Sequence, residues 1–286
     1  MRVASLVPSG TLLLRALGVE PVGVSHACPN PRGAVVLTES LIPKGLSQEE
    51  IDRRVREAYA QGASLYRVRG EALEALAPDL LVAQGVCEVC AATPQEVAGA
   101  LRFLSQRPRV LELRGTRLGD LFAELQALGE ATGREGEARA LTQALRERLL
   151  ALPLPSHRPS VAFLEWLDPP YLGGHWVAEV VEGAGGRYLG PGPGERSRRV
   201  DPKGLPQAEV VLLAFCGYSL AEAQEAVARH LSRGGWLGEY LRGRRAYLLD
   251  AAPFQALTHL TVEGVELLSR LLRGEEGVEG LALPLA

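Results

Sequence analysis

Apolar residues between positions 134 and 152 recur at spacings of three and four, which predicts one long amphipathic helix. The apolar stripe consists of Ala138, Leu141, Leu145, Leu149 and Leu152. Thr132-Gly133 breaks the helical pattern before it, and Pro153 and Pro155 end it. At ~1.5 Å per residue the helix spans roughly 27 Å, about the width of a small domain. It is therefore long enough to connect two lobes.

The chain has a similar pattern on the two sides of this helix. Short aliphatic runs, each followed by a helical pattern, occur at 3–7, 78–83 and 109–113 and again at 160–164, 208–214 and 246–249. Buried strands that alternate with helices are typical of parallel α/β folds. We therefore expect two α/β lobes, each with a central parallel sheet flanked by helices. The expected boundaries are 1–117 and 158–273 for the lobes, 118–157 for the helical linker and 274–286 for a loose tail.

Composition and charge exclude several classes of protein. The 286 residues include 31 basic and 34 acidic side chains, so no basic field suggests nucleic-acid binding. No apolar run approaches the ~20 residues of a membrane span, so we expect no membrane insertion. Met1-Arg2 leads directly into a predicted strand without a leader pattern, which favours a cytoplasmic protein for the sequence as written. A leader removed beforehand would leave the same sequence.

Polar and aromatic residues collect at or just past the carboxyl ends of the predicted strands, where open parallel sheets bind ligands. If the two sheets face each other, these residues would line one cleft between the lobes. The residues are His26, Gln84, Cys87, Glu88, Cys90, Glu165, Trp166, Asp168, His175, Trp176, Cys216, Tyr218 and Phe254. Gly217, beside Cys216, is a further candidate for ligand binding. The turn at Pro8, Ser9 and Gly10 precedes a helix whose free N–H groups either hold a polar ligand group or form a plain helix cap.

The four cysteines leave three interpretations open. Cys87 and Cys90 form a CxxC pair, which is either half of a zinc site completed by Cys28 and His26, a local disulfide, or two plain thiols. A thiol-dependent enzyme or metal-thiolate protein that also uses Cys216 is the alternative to a binding protein.

Evidence for catalysis is weak in this sequence. Glu165 and Asp168 form a potential acid–base pair, but no nucleophile–base–orienter set accompanies them. The phosphate-binding patterns GxGxxG and GxxxxGK[ST] are also absent. We therefore expect a protein that is not an enzyme and has no catalytic cofactor.

Four segments together resemble the cobalamin-binding group of ABC-importer substrate-binding proteins. They are RVASLVPSGTLLLRALGVEPVGVSHACPNP, PDLLVAQGVCEVCAATPQEV, FLEWLDPPYLGGHWVAEVVEGAGG and AEVVLLAFCGYSL. The resemblance extends over nearly the whole chain, from residue 2 to about residue 273. The SLVPS-T pattern alone marks only the wider family, which includes siderophore, haem and metal binders.

The resemblance implies two α/β lobes on one long helix, with a corrinoid such as cobalamin in the cleft between them. Aromatic faces would pack on this ligand, and backbone amides at the Pro8-Ser9-Gly10 turn would bond its polar edge. The aromatic residues are Tyr66, Trp166, Trp176 and Phe254. His26 or His175 would be an axial ligand to cobalt. A haem, siderophore or metal-ion binder of the same fold is the alternative within the family.

The resemblance also implies a membrane permease as partner of a monomeric binding protein. Family members carry one acidic residue on each lobe that meets arginines of the permease. Glu71 lies at the matching place in the first lobe, and Asp201 is the corresponding candidate in the second, where the preceding segment is shorter. Typical members are exported or lipid-anchored, which differs from the cytoplasmic expectation above.

Overall fold

The computed structural model describes residues 1–28, 31–85, 92, 94–102 and 104–285. The chain divides into two compact units. Unit 1 comprises residues 1–46, 50–115 and 119–144, and unit 2 comprises residues 47–49, 116–118 and 145–286.

Unit 1 carries strands β1 to β7 and most of helices α1 to α6. Its elements are β1 Val3–Ser5, α1 Pro8–Ala16, β2 Gly23–Val24, β3 Val35–Val36, β4 Thr38–Ser40, α2 Gln48–Gln61, β5 Tyr66–Val68, α3 Gly70–Leu76, β6 Leu80–Gln84, α4 Pro94–Leu101, β7 Arg109–Leu113, α5 Asp120–Thr132 and α6 Glu135–Leu150. Five strands form a sheet of order β3-β2-β1-β6-β7, and every pair in it is parallel. Strands β4 and β5 form a separate antiparallel pair.

Unit 2 carries a seven-stranded mixed sheet. Its elements are β8 Ser160–Leu167, β9 Pro170–Leu172, α7 Val177–Gly183, β10 Arg187–Tyr188, β11 Arg198–Arg199, a 3₁₀ turn Pro202–Gly204, β12 Val210–Leu213, α8 Leu220–Ser232, α9 Leu237–Leu241, β13 Arg245–Leu249, α10 Leu260–Leu272 and β14 Ala282–Pro284. The strand order is β11-β9-β8-β12-β13-β14, with β10 also paired to β8. The central strands β8, β12 and β13 are parallel.

The aliphatic runs form strands because both faces of each sheet are covered. Along β13, Tyr247 and Leu249 pack into the hydrophobic cluster on one face, whereas Ala246 and Leu248 pack into the cluster on the other. In unit 1, β1 and residues 80–83 of β6 are fully buried, because both faces of the sheet are covered there as well. The expected α/β class, with parallel sheets flanked by helices, is confirmed.

The long helix is present as α6, Glu135–Leu150. Ala138 and Leu145 of the predicted stripe are buried, as the periodicity requires. Residues of α6 up to Ala144 belong to unit 1, and those from Leu145 belong to unit 2.

The expectation of a loose tail at 274–286 is wrong for the part of it that the structure describes. Ala282–Pro284 form β14, which pairs antiparallel with β13 through Leu283 opposite Leu248. Asp250 N–H also donates to the carbonyl of Leu281. The segment joins the sheet because β13 would otherwise expose an unpaired edge.

Two glycines of the α5–α6 region test the packing of unit 1. An alanine at Gly129 would place its Cβ 2.7 Å from Cβ of Ala138 and 3.0 Å from the carbonyl oxygen of Arg134. We expect Gly129→Ala to lower the free energy of unfolding by ~1–3 kcal/mol, because neither neighbour can yield easily. Gly136→Ala is the matched control, since a Cβ there meets nothing within 4 Å. It should raise stability by up to ~1 kcal/mol through helix propensity. Urea unfolding measures both, and equal effects of the two substitutions would contradict this packing.

Candidate functional site

The predicted site residues His26 and Tyr66 lie in unit 1 together with Ser25 and Thr38, and these four residues are called the His26 cluster. Ser25 and His26 follow β2, and Thr38 begins β4. The Thr38 hydroxyl donates to Ser25 Oγ at 3.2 Å and accepts from the backbone N–H of His26 at 3.0 Å. Nδ1 of His26 lies 2.7 Å from the same Thr38 oxygen. The β2–β4 geometry therefore anchors the imidazole on one hydroxyl group.

The Thr38 network favours one tautomer of His26. With the Thr38 hydroxyl donating to Ser25, the Thr38 oxygen accepts from the imidazole, and the tautomer that fits this network has its proton on Nδ1. The lone pair of neutral His26 is then on Nε2, which has no hydrogen-bond partner among the described residues. Partial burial, and secondarily the charge of Lys44, lower the pKa of His26 from its ordinary value of 6.5. The imidazole is therefore neutral at pH 7 and offers Nε2 as a ligand atom.

Tyr66 lies beside this imidazole. Its ring centroid is 5.3 Å from that of His26, with an angle of 33° between the planes. Tyr66 opens strand β5, whose pairing with β4 places it opposite Ser40. Tyr66 is only 9% exposed and belongs to the hydrophobic cluster of unit 1, so it packs beside His26 but presents little surface to a ligand.

Cys28 has a structural environment. Its Sγ lies 3.0 Å from Oγ1 of Thr11 in a buried position, and burial raises the pKa of the thiol. A protonated, buried thiol is a poor metal ligand or nucleophile, so Cys28 does not support the zinc-site interpretation with His26. Within the part of the chain that the structure describes, no group of three or more metal-ligating side chains occurs. Cys87, Glu88 and Cys90 lie outside the described residues.

The start of α1 combines a packing role with free backbone donors. A Cβ on Gly10 would lie 2.7 Å from Ser5 Oγ and from Val82 Cγ1, so Gly10 allows α1 to approach β1 and β6. Val7, the residue before the helix, makes no side-chain cap. Pro8 has no N–H, which leaves the first-turn amides of Ser9 and Gly10 as donors. Their contact with a ligand stays a prediction. Gln84, the last residue of β6, is half-buried.

In unit 2, the Trp166 cluster consists of Gln48, Trp166, Asp168, Tyr218 and His230. The indole N–H of Trp166 donates to the carbonyl of Gln48 at 3.3 Å, and its ring meets Tyr218 edge to face at 5.7 Å. Oε1 of Gln48 accepts from the backbone N–H groups of Leu167 at 2.7 Å and Asp168 at 3.2 Å. Gln48 is only 5% exposed. These bonds hold the turn that follows β8.

Asp168 has a partner that the sequence did not indicate. Its Oδ2 lies 3.8 Å from Nδ1 of His230, whose ring packs against Trp236. Burial lowers the pKa of His230, and the Asp168 carboxylate opposes that change. Glu165, three residues earlier, is half-buried on β8. The acid–base pairing of Glu165 with Asp168 stays a prediction.

His175 adopts a left-handed backbone conformation with φ of 55°, which is uncommon for a residue with a side chain. Its N–H donates to the carbonyl of Glu195 at 2.5 Å, and its carbonyl accepts from Gly194 N–H at 2.9 Å. Burial, followed by the charge of Arg196, lowers the pKa of His175. Its ring centroid lies 5.7 Å from that of Trp176.

Trp176 and Phe254 differ in what they offer to a ligand. The indole N–H of Trp176 donates to the Phe254 carbonyl at 2.9 Å, and its ring is half-buried. The Phe254 ring is only 5% exposed, because it packs edge to face on Phe163 at 5.3 Å. Phe254 therefore belongs to the core, which corrects the expectation that it packs on a ligand.

Cys216 and Gly217 form the turn after β12. The backbone N–H of Cys216 donates to the carbonyl of Glu165 at 3.3 Å. Gly217 has φ of 79°, and its N–H donates to Oε1 of Gln255 at 2.8 Å. The turn thus requires a glycine at 217 for conformational reasons. A ligand contact at either residue stays a prediction.

The two predicted docking residues are both exposed. Glu71 lies in the first turn of α3. Asp201 accepts from the backbone N–H of Lys203 at 2.9 Å and so caps the 3₁₀ turn Pro202–Gly204. The cap gives Asp201 a local structural role, and docking to a permease stays a prediction for both residues.

Among the described residues, no helix combines the length and the apolar character that crossing a membrane requires. No protein-family model matches the sequence, and no curated protein matches it.

Solved structures do match the fold. An ABC transporter substrate-binding protein from Listeria monocytogenes EGD-e superposes with a TM-score of 0.68 at 16% identity, covering 96% of this chain and 99% of that chain. A periplasmic haem-binding protein from Pseudomonas aeruginosa superposes with a TM-score of 0.66 at 18% identity, covering 100% of this chain and 95% of that chain. The periplasmic vitamin B12 binding protein BtuF of Vibrio cholerae superposes with a TM-score of 0.59 at 18% identity, covering 95% of this chain and 96% of that chain. At these identities the likeness shows the fold, which is that of two-lobe substrate-binding proteins.

The Thr38 anchor generates a test. Thr38→Val keeps the side-chain shape but removes the acceptor for two His26 N–H groups, so we expect a loss of ~1–3 kcal/mol in the free energy of unfolding. Thr132→Val is the control, because the Thr132 hydroxyl donates only to helix carbonyls. It should cost less than ~1 kcal/mol. Nitrogen-15 NMR of the imidazole should show Nδ1–H in the wild type and a tautomer mixture in Thr38→Val. An unchanged tautomer would contradict the assigned network.

Proposed function

We propose that this protein is a non-enzymatic substrate-binding protein that holds cobalamin or a related corrinoid for an ABC importer. The corrinoid is a bound ligand here and not a catalytic cofactor. The fold supports this class of function, and the four sequence segments given above support the corrinoid. That the ligand lies between the two lobes, and that a permease is the partner of a monomer, stay predictions.

The observation that carries the proposal is the state of His26. A metal-binding imidazole usually donates its second ring N–H to a fixed acceptor, which orients the ring and makes the free nitrogen more basic. His26 has that arrangement, with Nδ1 2.7 Å from the Thr38 oxygen and Nε2 available. Neutral imidazole nitrogen is a good axial ligand for a metal at the centre of a planar macrocycle.

The aromatic residues fit a large ligand with flat faces. Trp166 and Trp176 each use the indole N–H for a bond inside unit 2, to Gln48 and Phe254 respectively. Their rings are therefore oriented without a ligand and remain half-buried. In unit 1, Tyr66 packs beside His26 but is only 9% exposed. The two half-buried indole rings therefore offer the apolar surface, at little entropic cost.

Haem is the second candidate ligand, and the same observation favours it. Haem iron is commonly held by a histidine nitrogen. Cys28, a buried and hydrogen-bonded thiol, does not favour a zinc site. The thiol-based alternative on Cys87, Cys90 and Cys216 stays a prediction. A bare metal ion would require several converging ligands, and the described residues bring no such group together.

Calorimetric titration with aquocobalamin and, separately, with haemin distinguishes the candidates. We expect saturable one-to-one binding of the corrinoid, tighter than that of haem. Tighter binding of haem would keep the fold-level function and replace the ligand. Absence of binding for both would contradict the proposal that a metal-centred macrocycle is the ligand.

The role of His26 is tested by visible spectroscopy of the aquocobalamin complex. Nε2 should displace the cobalt-bound water and shift the corrin absorption bands, and His26→Ala should abolish the shift. His157→Ala is the control, since His157 is exposed and pairs with Glu209 in unit 2. A shift retained in His26→Ala would exclude His26 as the ligand and turn attention to His175.

The pH dependence of corrinoid binding follows from the lowered pKa of His26. A proton competes with cobalt for Nε2 mainly near and below that lowered pKa, so affinity should change little between pH 8 and pH 7. Affinity should fall as the pH drops through the lowered pKa. The His26→Ala variant should lack this fall. A decline that already begins above pH 7 in the wild type would contradict the assignment.

A further inference from the structure

We propose that unit 2 carries a second binding site, a pocket at the amino-terminal ends of its central strands, which takes a small amphiphilic anion. The pocket has a volume of about 450 Å³. This volume lies within the range of about 300–1,000 Å³ that is usual for small-molecule sites. Its lining includes Leu154, Pro155, His157, Arg245, Leu272 and Arg273.

The pocket lies at the opposite end of the sheet from the Trp166 cluster. Arg245 is the first residue of β13, and its neighbour Val210 is the first residue of β12. Pro159, which also lines the pocket, precedes β8 directly. Trp166 lies near the far end of β8. The pocket is therefore distinct from the site proposed for the corrinoid.

Arg245 provides the pocket with an uncompensated positive charge. Its side chain is exposed, and among the described residues no carboxylate lies within 4.0 Å of its guanidinium group. Arg273 is only weakly compensated, because its nearest carboxylate oxygen, on Glu275, is 3.7 Å away. Glu275 is already bound by Arg270, through Nε at 2.8 Å and Nη2 at 2.7 Å. Arg245 therefore carries the uncompensated charge of the pocket, and Arg273 adds a charge that Glu275 compensates only in part.

The other nearby carboxylate, on Glu209, is occupied by its own partners. Its Oε2 accepts from the backbone N–H of Ser160 at 2.7 Å, and its Oε1 lies 2.9 Å from Nε2 of His157. These bonds lower the pKa of Glu209 to about 2, so the group remains ionised and bound where it is. Its side-chain partners are Ser160 and His157, and among the described residues it forms no ion pair with Arg245 within 4.0 Å.

The remaining walls are apolar, and part of them is firmly placed. Leu272 is buried at the base, whereas Leu154 is 60% exposed and would gain from being covered. Pro155 packs directly on Gly185, where a Cβ would lie 2.3 Å from the proline ring. An anionic head group at the arginines with a short hydrocarbon chain on Leu154 and Leu272 satisfies both parts of the lining.

Calorimetric titration with n-octyl phosphate, without any corrinoid, tests this site independently of the proposed function. We expect saturable one-to-one binding that weakens with added salt. Inorganic phosphate lacks the chain and n-octanol lacks the charge, so each should bind at least about tenfold more weakly. Equal binding of n-octanol would overturn the anion site, and no saturable binding of n-octyl phosphate would overturn the proposal altogether.

Three variants locate the binding. Arg245→Gln should weaken the binding of n-octyl phosphate by about tenfold or more, because a charge-assisted contact is lost. Arg242→Gln is the matched control, since Arg242 is also exposed but does not line the pocket. Ser156→Trp keeps every charge and fills the pocket from an exposed lining position, so it should abolish binding. Wild-type affinity in both Arg245→Gln and Ser156→Trp would place the ligand elsewhere and contradict the proposal.

Discussion

A parallel strand that is covered on both faces has room for polar side chains only at its two ends. This constraint governs both units, because residues 80–83 of β6 and all of β12 are buried. Charged and polar groups therefore lie at the two ends of the strands, the amino ends and the carboxyl ends. Carboxyl ends collect the residues proposed for the corrinoid, such as His26 and Trp166. Amino ends collect Arg245 and Glu209. The separation of the two proposed sites is a direct result of how the sheets are buried.

At the carboxyl ends of the strands in unit 1, one hydroxyl group fixes the orientation of the exposed His26 side chain. The Thr38 oxygen accepts hydrogen bonds from the backbone and ring N–H groups of His26, and its hydroxyl donates one to Ser25. Each of its hydrogen-bonding positions is therefore used. A histidine without this anchor would sample several rotamers and both tautomers. The anchor depends on β2 and β4 being adjacent at this point, which follows from the pairing of β2 with β3 and the short link from Val36 to Thr38.

The sequence predicted the elements of the fold well, because periodicity reports burial directly. The helix α6 and the buried strands follow from that signal. The prediction from periodicity failed for Ala282–Pro284, because a short edge strand pairs through its backbone and needs little side-chain pattern. It also misjudged Phe254, since position at a strand end does not tell whether a ring turns into the core.

The partners of the site residues were less accessible to sequence reasoning. Thr38 and Gln48 act through hydrogen bonds to residues 12 and about 120 positions away, and such pairings depend on tertiary structure. Gln48 opens a helix in the sequence SQEE, which is typical of ordinary helix starts, so nothing local indicated its bonds after β8. His230 was likewise hidden in an amphipathic helix pattern.

A crystal structure of the protein grown with aquocobalamin would give the distance between Nε2 of His26 and the metal. If His26 is the axial ligand, Nε2 lies at bonding distance from cobalt and Nδ1 stays on the Thr38 hydroxyl. A bound corrinoid whose cobalt lies away from His26, or an imidazole turned off Thr38, would contradict that assignment.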